Sequence, residues 1–257
     1  MDYFIADPAG NVTGFIFGPV DTLAADKLMA RRELEIEQVA FLSRPQGRGH
    51  IKCDMAGGEF CGNACRAAAY YYCKDNKIEA VTDVIVEMSG TNGEPVTVTV
   101  FPEKEAAFAH MPLPQRIIKV TWDDRKLDAV EFDGITHIIA PLSSEHLPDV
   151  NKESMHELCQ YLGTSAVGIM FLSDDLYLKP LVWVDKVGSL IWESSCGSGS
   201  TACAWWLSRD MKAGHKEYCF VQPGGVLEIK LDRSADGSDL QMGGRIRLLG
   251  DPLIRRL

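Results

Sequence analysis

The sequence predicts an α/β protein built as two copies of one unit. Three observations carry this. Short strand-like segments alternate with a few helical ones. The stretch "EFCGNACRAAAYYY", residues 59–72, is echoed by "SSCGSGSTACAWWL", residues 194–207, with Cys61 and Cys196 offset by 135 residues. A helix and then a hairpin signal follow the cysteine each time. An offset of half the chain is an internal duplication rather than a solenoid period.

The elements follow in order. "YFIAD" reads as a strand, "PAGN" as a turn and "VTGFIFG" as a strand, followed by a helix over Leu23–Arg32 and a strand at "EQVAFLSR". After Cys61, the alanine-rich "GNACRAAAYYYCKD" reads as a helix, opened by Gly62 and Asn63. "VTDVIVEMSG" and "PVTVTVF" flank an Asn-Gly turn, a hairpin signal. In the second half, "GITHIIAPL" is a strand and "NKESMHELCQYLG" a helix with Asn151 at its N-cap. "AVGIMFLS" and "LVWVDK" are strands. "GSGSTACAWWLSRDMKAG" reads as a helix ending at Gly214; "EYCFVQ" and "VLEIKLD" form a hairpin, and "GGRIRLLG" is a last strand. The aromatics at 70–72 and 205–206 read as helix packing. The expected domains are residues 1–116 and 117–249, with the tail 250–257 packing on the first.

Composition narrows the function. The 257 residues are 46% hydrophobic and 24% charged, as in a soluble globular protein. A net charge of -10 argues against nucleic acid and anionic membrane as partners. No basic-then-apolar leader and no membrane-length apolar run is present, so the expected location is the cytoplasm. The eight cysteines are expected to be reduced there. Cys61 and Cys65 have metal-like spacing, but no Cys-x-x-Cys or His-x-x-His accompanies them, so no metal is expected.

Cys61 and Cys196 each immediately precede a predicted helix. Unpaired N–H groups and the positive dipole end converge there, favouring a thiolate and binding a carboxylate. The glycine after each cysteine lets a ligand approach the backbone. Paired motifs of this kind offer two acid/base thiols and a carboxylate cradle, the needs of racemisation without a cofactor: one thiolate removes an α-proton and the other thiol delivers one to the opposite face.

These motifs resemble those of the diaminopimelate epimerase fold group, which also holds proline racemase, histidine racemase and the phenazine-biosynthesis isomerase. The resemblance runs over nearly the whole chain. It implies two pseudo-symmetric domains, each a β-barrel-like sheet around a central helix, and a site that uses no cofactor. By motif match, "PAGNV" makes Asn11 and "EIEQVAFL" makes Gln38 substrate-binding residues. "FCGNACR" gives catalytic Cys61, with Gly62 and Asn63 on the α-carboxylate. "GITHII" gives the active-site His137; "SCGSGSTAC" gives catalytic Cys196, with Gly197 and Ser198 on the carboxylate.

Departures bear on the substrate. Diaminopimelate epimerases hold a second amino-carboxylate with asparagines and an arginine. Here Ile135 and Ala166 stand where two asparagines would, and "VDKVGSLIWESSC" has no clear Glu-Arg pair. Asp185 or Glu193 is left for the substrate amino group, with Glu193 preferred. A distal carboxylate without its clamp would be buried unpaired. The expectation is a cofactor-independent amino-acid racemase or epimerase, histidine being the first candidate substrate, with a homodimer as candidate assembly. The alternatives are diaminopimelate epimerase, a phenazine-type isomerase working through a carboxylate base, and a non-catalytic amino-acid binder.

Overall fold

A computed structural model describes residues 1–122, 124–144, 150–250 and 254–257. The chain divides into two compact units, Met1–Met111 with Gln241–Leu257, and Pro112–Leu240.

The first unit starts with β1 (Asp2–Asp7), β2 (Thr13–Phe17), α1 (Thr22–Met29), β3 (Gln38–Ser43) and β4 (Ile51–Met55). It continues with α2 (Gly62–Asp75), β5 (Thr82–Met88), β6 (Val96–Phe101) and β7 (Ala106–His110). The strands lie in sequence order from β7 to β1, with β2–β3 and β4–β5 parallel. Alternate residues of β1 to β3 are buried on opposite faces. Phe4, Ala6, Phe15, Ala40 and Leu42 pack in the core of α2, while Tyr3, Ile5, Ile16, Val39 and Phe41 pack with Leu28 of α1. Burial on both faces explains the nearly continuous apolar runs. Eleven of the fourteen α2 residues are buried. A helix buried nearly all round is a central one, and its alanines let the strands pack close to it. The Asn-Gly segment does join an antiparallel pair, β5 to β6, with Val86 opposite Val96.

The second unit holds β8 (Arg116–Trp122), β9 (Arg125–Glu131), β10 (Ile135–Pro141), α3 (Lys152–Leu162), β11 (Ala166–Leu172) and β12 (Leu178–Val184). β13 (Ser189–Trp192), α4 (Gly197–Leu207) and the hairpin β14 (Gly214–Gln222) to β15 (Gly225–Ser234) complete it. The sheet order is β13-β12-β11-β10-β9-β8; only β10–β11 is parallel, joined through α3. Asn151 caps α3 in a capping box, its side chain accepting the N–H groups of Glu153 and Ser154.

The chain then passes through β16 (Gly237–Arg245), whose residues 241–245 pair with β7. β17 (Arg247–Leu249) and β18 (Arg255–Arg256) both pair with β1.

Two expectations change. The strand orders are open paths, so the barrel-like closure is not found among the described residues. The helix after Cys196 ends at Leu207, not Gly214. Its propensity is overridden by Arg233, whose Nη1 donates to the carbonyls of Ser208 (2.8 Å) and Met211 (2.9 Å) while its guanidinium stacks on Trp205. No helix among the described residues is long and apolar enough to cross a membrane.

Candidate active site

In the first unit Cys61 is the N-cap of α2. Its backbone is extended (φ -133°, ψ 106°), and its Sγ accepts the Ala64 N–H at 3.5 Å. A thiol thus occupies the place where serine or asparagine usually receives an orphan N–H. Strand order brings the other groups to it. Thr13 lies opposite Gln38 in the parallel β2–β3 pair, so the β1–β2 turn carrying Asn11 lies beside Gln38. Gln38 Nε2 donates to Asn11 Oδ1 (2.8 Å), Thr13 Oγ1 (2.9 Å) and Cys61 Sγ (3.3 Å). In its protonated form the thiol faces Gln38 Oε1 at 3.6 Å. Asn63 Nδ2 reaches Asn11 Oδ1 at 3.3 Å, and Asn11 Nδ2 donates to Glu37 Oε2 at 3.0 Å. Asn11, Gln38, Cys61 and Asn63 therefore form one network. The turn is pinned by Asp7, whose Oδ1 accepts the Gly10 N–H at 2.5 Å and whose Oδ2 pairs with Arg247.

Gly62 acquires a packing reason. A Cβ there would come within 2.6 Å of the Met242 methyl and 3.1 Å of Met111 Sδ. Arg66, fully buried in α2, escaped the sequence reading. Its Nε donates to Asn63 Oδ1 at 3.2 Å and its Nη1 to the Gly244 carbonyl at 2.9 Å. The signal was available: an arginine one turn after Asn63, followed directly by three alanines and three tyrosines.

In the second unit Cys196 is the N-cap of α4 with nearly the same backbone (φ -119°, ψ 111°), and its Sγ accepts the Gly199 N–H at 3.4 Å. Ser198 Oγ lies 3.6 Å from the thiol and 2.9 Å from His137 Nε2, so His137, Ser198 and Cys196 form a chain. The Glu193 carboxylate also accepts a hydrogen bond from the thiol. Burial first, and then the Glu193 charge, push the Cys196 thiol well above its ordinary pKa, against the Gly199 N–H and Ser198, which act the other way. Asp185 is engaged elsewhere, with His156 Nδ1 at 2.5 Å and Trp183 Nε1 at 3.1 Å. Of the two acids considered for the amino group, Glu193 is the one beside the cysteine.

His137 is fully buried, and desolvation pushes its imidazole down to about 3, so it is neutral at physiological pH. Nδ1 has no hydrogen-bond partner among the described residues. Gly168, opposite His137 in the β10–β11 register, makes room for the ring; a Cβ there would sit 2.3 Å from Nδ1. Gly199 is equally constrained, since its Cβ would meet Met170 Sδ at 2.1 Å. Gly197 is the first residue of α4, as Gly62 is of α2.

The sequence reading also missed Gln222. It ends β14, where Phe220 and Gln222 are buried and Cys219 and Val221 exposed. A polar side chain on the buried face of an alternating strand was the signal. Its Oε1 accepts the Cys196 N–H at 2.8 Å. All eight cysteines are free thiols, and among the described residues no group of three or more His, Cys, Asp or Glu side chains could hold a metal ion.

The model of the histidine racemase CntK N-terminal domain matches residues 1–250. A histidine racemase of Fusobacterium nucleatum is 30% identical, covering 98% of this chain and 95% of its own length. Among solved structures, a predicted epimerase from Pseudomonas aeruginosa superimposes with a TM-score of 0.73 at 15% identity, covering 100% of this chain and 98% of the other. A phenazine biosynthesis protein of the PhzF family from Bacillus anthracis gives a TM-score of 0.69 at 11% identity, covering 100% and 98%. These structures share the mixed α/β fold. With a matching domain model over nearly its full length and a relative at 30% identity, this chain belongs to the histidine racemase family.

Proposed function

We propose that the chain racemises histidine without a cofactor, using Cys61 and Cys196 as a two-base pair. The observation that carries this is the repeated N-cap: two cysteines, each at the start of a buried helix, each receiving the N–H of the residue three positions on. The thiolate of one takes the α-proton, and the thiol of the other supplies a proton to the opposite face of the carbanion. Charge that develops on the α-carboxylate is met by first-turn N–H groups of Gly62, Asn63, Gly197 and Ser198, with the Asn63 amide and Ser198 hydroxyl beside them. The Glu193 carboxylate holds the substrate ammonium.

The surroundings of the two thiols differ. Cys61 Sγ accepts N–H groups of Gln38 and Ala64 and, as a thiol, faces Gln38 Oε1. Cys196 donates to Glu193, which favours the thiol. A phenazine-type reaction through a carboxylate base has no support here, since both helix N-caps are thiols. Ile135 and Ala166 offer no polar grip for a second carboxylate, which supports a substrate with one.

Racemisation in D₂O, followed by NMR, tests the reading. L-histidine is expected to give D-histidine deuterated at Cα from its first appearance, while the remaining L-histidine labels more slowly. Cys61→Ala and Cys196→Ala are each expected to lose about 10² or more of the rate. Near-normal turnover in either variant, or efficient labelling of diaminopimelate at both centres instead of histidine, overturns it.

A further inference from the structure

We infer that Gln222 is a positioning residue for Cys196, acting through a closed ring of hydrogen bonds around the cysteine's backbone; this rests on the reading of Cys196 as an acid/base. Gln222 Oε1 accepts the Cys196 N–H at 2.8 Å. Gln222 Nε2 donates to Ser200 Oγ at 2.9 Å. Ser200 Oγ in turn donates to the Cys196 carbonyl at 2.7 Å. Both side chains are buried, and the same turn reaches back once more, the Gly224 N–H donating to the Ser194 carbonyl at 2.8 Å. One planar amide supplies the acceptor on one side of the cysteine and, through Ser200, the donor on the other. Leucine could do neither and would leave a buried N–H unpaired.

The N-cap is the residue least constrained by its helix, because its own dihedrals are non-helical. The direction of the Cys196 thiol is therefore set by whatever holds its two flanking peptides, and the ring holds both. The ring does not use the sulfur, which stays with the Gly199 N–H, Ser198 and Glu193. Loosening it displaces an intact acid/base, and proton transfer is steep in such displacements.

The test compares Gln222→Leu, Ser200→Ala and the double variant, with Cys196→Ala as reference. Each single change is expected to lower kcat about ten- to a hundredfold with KM nearly unchanged. The double variant is expected to be no worse than the poorer single, because either change opens the same ring. Hydrogen exchange at Cα in D₂O separates positioning from general damage. The enantiomer deprotonated by Cys61 keeps exchanging with retention, while exchange of the other falls with racemisation. Equal loss at both enantiomers, additive losses in the double variant, or wild-type kcat in the singles overturns the inference. Should Gln222→Leu not fold, Ser200→Ala carries the same measurements. If Cys196→Ala itself racemises normally, the reading of Cys196 fails instead; if it is inactive while both singles match wild type, only the ring's role fails.

Discussion

Cys196 and Glu193 show how single residues set the chemistry. The thiol is buried at a helix N-terminus, where donors favour the thiolate, yet burial and a neighbouring carboxylate favour the protonated form, and these dominate. The sign of a test follows. Replacing Glu193 by glutamine removes the negative charge that disfavours the thiolate, so the Cys196 pKa must fall. Alkylation of Cys196 by iodoacetamide, resolved by mass spectrometry across pH, should reach its half-maximal rate at lower pH in Glu193→Gln than in wild type. An unchanged or higher midpoint would show that the carboxylate does not govern the thiol. Motifs in the sequence single out Cys61, Cys196, Asn11, Gln38, Asn63, His137 and Ser198; the structure places Asn11, Gln38, Cys61 and Asn63 in one network and His137, Ser198 and Cys196 in another. Arg66, Ser200 and Gln222 went unread: apart from Asn63 for Arg66 and each other for Ser200 and Gln222, they grip main-chain groups. A side chain that grips the backbone leaves no partner residue type to read.

At the scale of elements, the cysteines have a second occupation as helix caps. Ala64 N–H to Cys61 Sγ and Gly199 N–H to Cys196 Sγ each satisfy one orphan donor of a buried helix. Serine caps as well as or better than cysteine but is a far weaker acid/base at neutral pH. Cys61→Ser and Cys61→Ala should therefore be equally inactive in racemisation and yet differ in urea unfolding, alanine being less stable than serine by about 1 kcal/mol. Equal stability would mean that a polar N-cap at position 61 does not stabilise α2. The elements themselves were unevenly legible. α2, α3 and the β5–β6 hairpin stood out through alanine content, a capping box and an Asn-Gly turn. β4, β7, β13 and the β8–β9 pair went unread. β8, "RIIKVTW", is exposed or half-exposed except at Val120, so its burial follows its place at the sheet edge rather than strict alternation. β13 has four residues, too few for a period to show.

The order of the chain is the largest-scale fact, and it constrains folding. The first unit holds nine elements before residue 111, but its last parts arrive after residue 240. Those parts are not decoration. Residues 241–245 occupy the free edge of β7, and β17 and β18 occupy β1. Ile246 is fully buried in the core around α2, and Met242 is buried against Gly62. The Gly244 carbonyl accepts from the buried Arg66 guanidinium, which without it would lose a partner at a cost of about 1–3 kcal/mol or more for a charged group. Arg247 pairs with Asp7, which in turn holds the turn carrying Asn11. A fragment ending at Met111 thus keeps most of its apolar sequence yet loses a core isoleucine, worth about 2–5 kcal/mol when cut to alanine, and strand partners on two edges. Domains hold only about 5–15 kcal/mol in total, so these losses are enough to abolish the fold. The fragment 1–111 should therefore show no cooperative urea transition by circular dichroism. The same fragment with 241–257 joined by a flexible linker should regain one. A cooperative transition in 1–111 alone would mean that the returning strands decorate a unit already complete, and that Arg66 tolerates the loss of its carbonyl.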